Sequence, residues 1–191
     1  MKIPKTKDRM LLGILSGGLA FIVQSAFDYA SYKKNISKRS YWSTAAGVWV
    51  KSKRQAKKWN GQLLGAWMSF GLNVLNGIFM VWSLTKAGLA KWPLKGVMLG
   101  SITGAITNAL LSGFANNKVA PKDSNSTLSY ALTNAITGIV AAWAIVTFGD
   151  ESLFNERRVI AHTSAEDASL AKPMNINESV VKESQPNTYI H

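Results

Sequence analysis

Met10–Phe27 reads MLLGILSGGLAFIVQSAF, eighteen residues without one Asp, Glu, Lys or Arg. Roughly 20 apolar residues at about 1.5 Å each cross about 30 Å of hydrocarbon, so this stretch and its flanks are long enough to span a bilayer. Three more uncharged stretches follow, Trp59–Thr85, Gly96–Asn117 and Ser124–Gly149. Together they predict an all-α integral membrane bundle of four transmembrane helices, near residues 10–31, 62–85, 95–116 and 128–149. Average composition does not carry this reading. The hydrophobic share of 47% is that of an ordinary soluble chain, and the charged share of 17% is only modestly low. What decides the class is that the charges are swept into blocks between the apolar runs.

The flanks agree. Tyr29, Tyr32, Trp59, Trp82, Trp92, Tyr130 and Phe148 fall at or near span ends, where rings with a polar edge favour the headgroup layer. Lys86, Lys91 and Lys95 punctuate the short second loop, and Trp92-Pro93 marks the next helix start. A turn this short predicts that helices two and three are antiparallel neighbours. The basic start, Met1–Arg9, superficially resembles a signal peptide. The run that follows leads into Asp28-Tyr29 and Lys33-Lys34 with no small-x-small cleavage pattern, and is expected to be a retained first helix.

The four spans read as a duplicated helix pair. Leu12-Gly13-Ile14-Leu15-Ser16-Gly17, with Ser25-Ala26-Phe27, aligns at a constant offset of 87 on Leu99-Gly100-Ser101-Ile102-Thr103-Gly104, with Ser112-Gly113-Phe114. Asn73, Asn76, Gly77, Ile78 and Trp82 fall at an offset of 61 on Asn134, Thr137, Gly138, Ile139 and Trp143. The difference of 26 places an insertion between the first two spans. That insertion, 33–58, holds nine Lys or Arg and no acidic residue. At 100° per residue Trp42, Ala45, Ala46, Trp49 and Ala56 lie on one side and Lys51, Arg54, Gln55 and Lys58 opposite. Lys53 and Lys57 must snorkel. A basic face backed by tryptophans predicts an amphipathic helix lying in an anionic membrane interface, with Lys51, Lys53, Arg54, Lys57 and Lys58 as the lipid contacts; the alternative is an irregular, solvated basic loop. Residues 150–191 are polar, contain Pro173 and Pro186, and predict a disordered tail with at most a short helix around Ser164–Ala171.

Few groups within the spans can carry chemistry. With no cysteine there is no disulfide, thiol catalyst or thiolate metal site, and both histidines, His162 and His191, lie in the tail. No catalytic residue, metal site or cofactor is implied, so the chain is not expected to be an enzyme. Nucleic acid is not expected either, because the charge of +12 sits beside spans, where anionic lipid is the simpler partner. Asp28, at the margin of the first span, is expected to pair with Tyr29, Tyr32 or the lysines that follow. Gly13/Gly17 and Gly100/Gly104 form small-xxx-small patches. They are expected to bring helices one and three together, with Asn73, Asn76 and Gly77, and Asn134, Thr137 and Gly138, on matching faces of the other two. Gln24, Asp28 and Asn108 could instead line an embedded polar path.

Asp8-Arg9 before the Leu-Gly-Ile-Leu-Ser-Gly-Gly start, Asp28-Tyr-Ala-Ser-Tyr, Lys95-Gly96 with Gly100, and Thr133-Asn134 through Gly138 resemble a group of small four-helix membrane proteins of endospore-forming Firmicutes. The resemblance covers about residues 8–149 and implies a multi-pass protein of the bacterial inner (cell) membrane with no assigned activity. The very basic first loop departs from that group. Two functions compete: a non-enzymatic scaffold that binds lipid, itself or a membrane protein partner, and an oligomeric small transporter or channel subunit using the amide-lined interior. The lack of a charge at mid-span favours the first.

Overall fold

The computed structural model describes residues 5–114, 116–119 and 123–154. The described residues form six α-helices: α1 Arg9–Lys33, α2 Tyr41–Ala46, α3 Lys53–Lys57, α4 Trp59–Ala87, α5 Trp92–Gly113 and α6 Ser124–Phe148. A 3-10 turn, Glu151–Phe154, follows, and no strand occurs among the described residues. Four helices, α1, α4, α5 and α6, are long and apolar enough to cross a membrane, as the uncharged stretches predict. The expected disordered tail is helical at its start, Glu151–Phe154; the rest of it, with the short helix expected near 164–171, lies outside the described residues.

Helix starts follow local chemistry. Asp8 caps α1, its Oδ1 accepting from the backbone N–H groups of Met10 (2.8 Å) and Leu11 (3.1 Å). Asp123 caps α6 through the Ser126 N–H. α5 starts at Trp92 with Pro93 in its first turn. Lys95 Nζ donates to the carbonyls of Ala87 (2.8 Å) and Gly88 (2.7 Å), satisfying the open end of α4. α4 runs 29 residues, or about 43 Å, so it must tilt or project into the interface.

The spans pack as two tight antiparallel pairs, α1 with α4 and α5 with α6, joined by a third antiparallel contact between α1 and α6. The expected neighbourhood of α4 and α5 is corrected: they meet sparsely, because α1 and α6 stand between them. The expected meeting of the two glycine patches is corrected too. A methyl on Gly17 would strike Asn73 O and lie 2.7 Å from Val74 Cα of α4, and one on Gly100 would strike Asn134 O and lie 2.7 Å from Gly138 Cα of α6. Period and residue size mark which face of a helix is thin, and not which neighbour fills it.

One end of the bundle is apolar. Leu12, Met80, Val81, Leu84, Ala141, Ala142 and Ile145 are buried together with Leu153 of the 3-10 turn. Thr6 ties the N-terminus there: its N–H donates to Phe148 O (2.8 Å) and its carbonyl accepts from Asp150 N–H (3.0 Å), beside a Lys5–Glu151 ion pair at 3.0 Å. The outward faces carry Ile22, Leu63, Trp67, Leu75, Ile102, Leu110, Leu128 and Leu132, each more than half exposed. Such a belt would be an aggregation hazard in water and suits contact with lipid chains.

Candidate functional site

At the other end the first and third loops fold over the bundle as a cap. The continuous interfacial helix expected of 33–58 does not form. It is replaced by α2 and α3, started by Ser40 and Ser52, whose side chains accept from the N–H groups of Ser43 and Gln55, with a non-helical stretch between them. The break comes at Gly47. A methyl there would strike Asn117 Oδ1 and lie 3.0 Å from Val119 Cβ, so the third loop packs closely on the chain where α2 ends. Asn117 Nδ2 donates to Thr44 O (3.1 Å) and Leu111 O (2.8 Å), and Lys118 N–H donates to Gly47 O (3.0 Å). Val119 is buried with Ala46 and Ala56. Nothing local marks this docking, because its partners lie some seventy residues apart in the chain.

The basic residues cover the outside of that cap. Lys51, Lys53, Arg54, Lys57 and Lys58 are all exposed, with Trp49 and Trp59 exposed beside them. Lys53 and Lys57 have no apolar face to escape, since Ala56 alone of α3 is buried.

Two of the asparagines expected on the helix faces, Asn73 and Asn134, reach another helix through Gln24, and Asn76 does not. Asn73 Nδ2 donates to Gln24 Oε1 at 2.6 Å and to Ser69 O at 2.8 Å, and Gln24 Nε2 reaches Asn134 Oδ1 at 3.4 Å. α4, α1 and α6 are thus bridged through one buried glutamine. Thr137 Oγ1 donates to Asn134 O (3.0 Å) within α6. Asn76 is half-buried and its Oδ1 has no partner. The suggested polar path of Gln24, Asp28 and Asn108 is not assembled: Gln24 and Asp28 share a face of α1, while Asn108 is half-buried on α5 and bonds neither.

Asp28 departs most from expectation. It is 6% exposed and forms no ion pair among the described residues; Oδ2 instead accepts the N–H of Tyr41 at 2.7 Å, holding the first turn of α2. Tyr41 packs edge-on against Tyr130, whose hydroxyl donates to Arg39 O (2.8 Å). Burial pushes the Tyr41 hydroxyl well above the ordinary tyrosine value despite a hydrogen bond with Gln24, so it remains a neutral group.

Asp28 also lines a cavity of about 570 Å³ between the end of α1, the start of α4 and the cap. α1 contributes Ser25, Asp28, Tyr29 and Tyr32; the cap contributes Ser40, Trp42, Ser43 and Lys57; α4 contributes Trp59 and Gln62. Gln62 Nε2 donates to Ser43 Oγ (2.7 Å) and Ala56 O (2.6 Å), fixing the cap on α4. Of these residues the sequence singled out Asp28 and Lys57 as candidate sites; the Ser40 and Ser52 caps are the local signals that could have revealed the fold of the loop. No known family model, curated protein or solved structure matches the chain, so the site is read from its own residues alone.

Proposed function

We propose that this chain is a non-enzymatic, multi-pass membrane protein that binds anionic lipid headgroups through its basic cap and so serves as a scaffold at that face. The observation that carries the reading is the exposure of Lys51, Lys53, Arg54, Lys57 and Lys58, with two exposed tryptophans, on a segment without an acidic residue. Each such cation near an anionic surface contributes about 1 kcal/mol, less as salt rises. A transporter or channel subunit has less support, because Gln24, Asn73 and Asn134 are spent on one another.

The test uses the full chain in a neutral detergent, titrated with phosphatidylglycerol or phosphatidylcholine while the unfolding temperature is followed. Ligand that binds only the folded state raises that temperature. Phosphatidylglycerol is expected to raise it in a salt-sensitive way and phosphatidylcholine is not. A variant with Lys51→Gln, Lys53→Gln, Arg54→Gln and Lys58→Gln should lose the response. Equal responses to both lipids, or an undiminished response in the variant, would overturn the reading.

A further inference from the structure

The cavity beneath the cap asks for a ligand of a different kind. Among the described residues four buried side-chain polar atoms lack a hydrogen-bond partner, and two of them, Ser25 Oγ and Asp28 Oδ1, belong to residues of this one cavity, a turn apart on α1. An unsatisfied buried acceptor costs about 1–3 kcal/mol, more when it is ionised. A carboxylate only accepts and a hydroxyl can, so what is missing is a donor with more than one N–H or O–H.

The remaining walls narrow the choice. Tyr29, Tyr32, Trp42 and Trp59 line the same space, and aromatic faces attract a cation rather than an anion. Lys57 lines it too, is exposed, and pairs with no carboxylate among the described residues. A bare amine would be repelled by Lys57, whereas a ligand that brings its own anion a few bonds from its ammonium meets both charges. The cavity lies where two spans end among tyrosines and tryptophans, the level of the headgroup layer, and its volume is within the roughly 300–1,000 Å³ of small-ligand sites.

We propose that this cavity holds the headgroup of an ethanolamine phospholipid, its primary ammonium on Asp28 and Ser25 and its phosphate on Lys57. The site goes beyond the anionic-lipid reading: its ligand has no net charge and leaves Lys51, Lys53, Arg54 and Lys58 free. A choline headgroup meets the same aromatic walls but has no N–H for the two orphaned acceptors.

The full chain in a maltoside detergent would be titrated by calorimetry with short-chain phosphatidylethanolamine, short-chain phosphatidylcholine, O-phosphoethanolamine and hexylamine. Phosphatidylethanolamine is expected to bind about tenfold more tightly than each of the others, the worth of one charge-assisted hydrogen bond. Asp28→Asn keeps a carbonyl for the Tyr41 N–H and should weaken that binding about tenfold, as should Lys57→Gln, by the same measure. Asp28→Asn should leave the phosphatidylglycerol response in place, whereas Lys57→Gln should weaken it by the share of one cation among five. Should Asp28→Asn fail to fold, Lys57→Gln, at an exposed position, carries the test. Equal binding of the ethanolamine and choline lipids, or wild-type binding by Lys57→Gln, would overturn the proposal and leave the orphaned atoms to ordered water. Equal binding of O-phosphoethanolamine would overturn the lipid assignment in favour of a soluble phosphate ester.

Discussion

The two helix pairs solve one packing problem in two registers. In the first, Gly77 of α4 lies across Gly13 and Gly17 of α1; in the second, Gly138 of α6 lies across Gly96 and Gly100 of α5. If Gly13 and Gly17 correspond to Gly100 and Gly104, the second crossing is displaced by one helical turn. The displacement changes what the asparagine does. In the first pair Asn73 is free to bridge to Gln24, whereas a methyl on Gly104 would run into the side chain of Asn134, which is packed onto that glycine. Glycine spacing thus fixes how closely a pair can approach, and the turn of slippage goes with a short amide bond to Gln24 in the first pair, 2.6 Å, and a long one in the second, 3.4 Å. Because lipid chains are as apolar as the helix surfaces, close approach and amide bonds supply most of the attraction.

The largest effect should come from closing the thin faces. Gly17→Ala and Gly138→Ala each place a methyl against backbone, which cannot swing aside as a side-chain tip would. Overpacking of this kind costs about 1–3 kcal/mol, and Leu at either position more. Gly71→Ala is the control, since a methyl there meets nothing within 4 Å. Unfolding by denaturant in mixed micelles should show both interface variants destabilised and Gly71→Ala unchanged or slightly more stable. If Gly138→Ala is as benign as the control, the second pair is not held by close approach.

Next come the amides, where the pairs should differ. A double-mutant cycle of Gln24→Ala with Asn73→Ala should give a coupling of about 1 kcal/mol, the upper range for such bonds between membrane helices. The same cycle with Asn134→Ala should give clearly less, because its contact with Gln24 is 3.4 Å long against 2.6 Å. Equal couplings would mean that the glutamine is shared evenly and that the register difference has no energetic consequence.

The sequence made some of this comparison legible and hid the rest for a physical reason. Absence of charge over eighteen or more residues, Trp92-Pro93, and the glycines at spacing four are local signals, and they locate the spans and their thin faces. The partner of Gly17, the burial of Asp28 and the docking of Asn117 on Thr44 depend on residues distant in the chain. Periodicity carries no information about them. The first loop misled for the same reason: on a helical wheel its tryptophans and lysines separate well, but the Gly47 carbonyl accepts from Lys118 N–H of the third loop, and Val119 packs on Ala46 and Ala56 from the two sides of the break.

A smaller, local effect should appear at the start of α6, whose pair has the short loop. Hydrogen bonds from the Ser126 side chain and backbone hold the Asp123 carboxyl below the usual carboxylate range. A depressed folded value means that the cap is fully effective above the ordinary carboxylate value and is lost as pH falls through the depressed one. Amide exchange in the first turn of α6 should therefore quicken in acid relative to the rest of the helix. Asp123→Asn should remove that pH dependence. If the wild-type turn is equally protected at low pH, the carboxylate is not what caps it.

The smallest margin belongs to orientation, which also separates the two ends of the bundle. Lys and Arg number eleven on the side of the first and third loops, nine in 33–58 plus Lys118 and Lys122. The other side has nine: Lys2, Lys5, Lys7 and Arg9, then Lys86, Lys91 and Lys95, then Arg157 and Arg158 beside the last span. The side richer in Lys and Arg is retained in the cytoplasm, although the basic start of the first span pulls the other way. The cap is therefore expected to be cytoplasmic, with a detectable minority inserted in reverse. The chain has no cysteine, so single cysteines report each side directly. Ser43 is buried and unsuitable, whereas Ile36 and Ala90 are exposed at opposite ends. An impermeant maleimide on intact cells should label Ala90→Cys strongly and Ile36→Cys weakly. Strong labelling at Ile36→Cys with none at Ala90→Cys would place the basic cap outside. It would then face an external surface, and the lipid it binds would have to be sought in the outer leaflet.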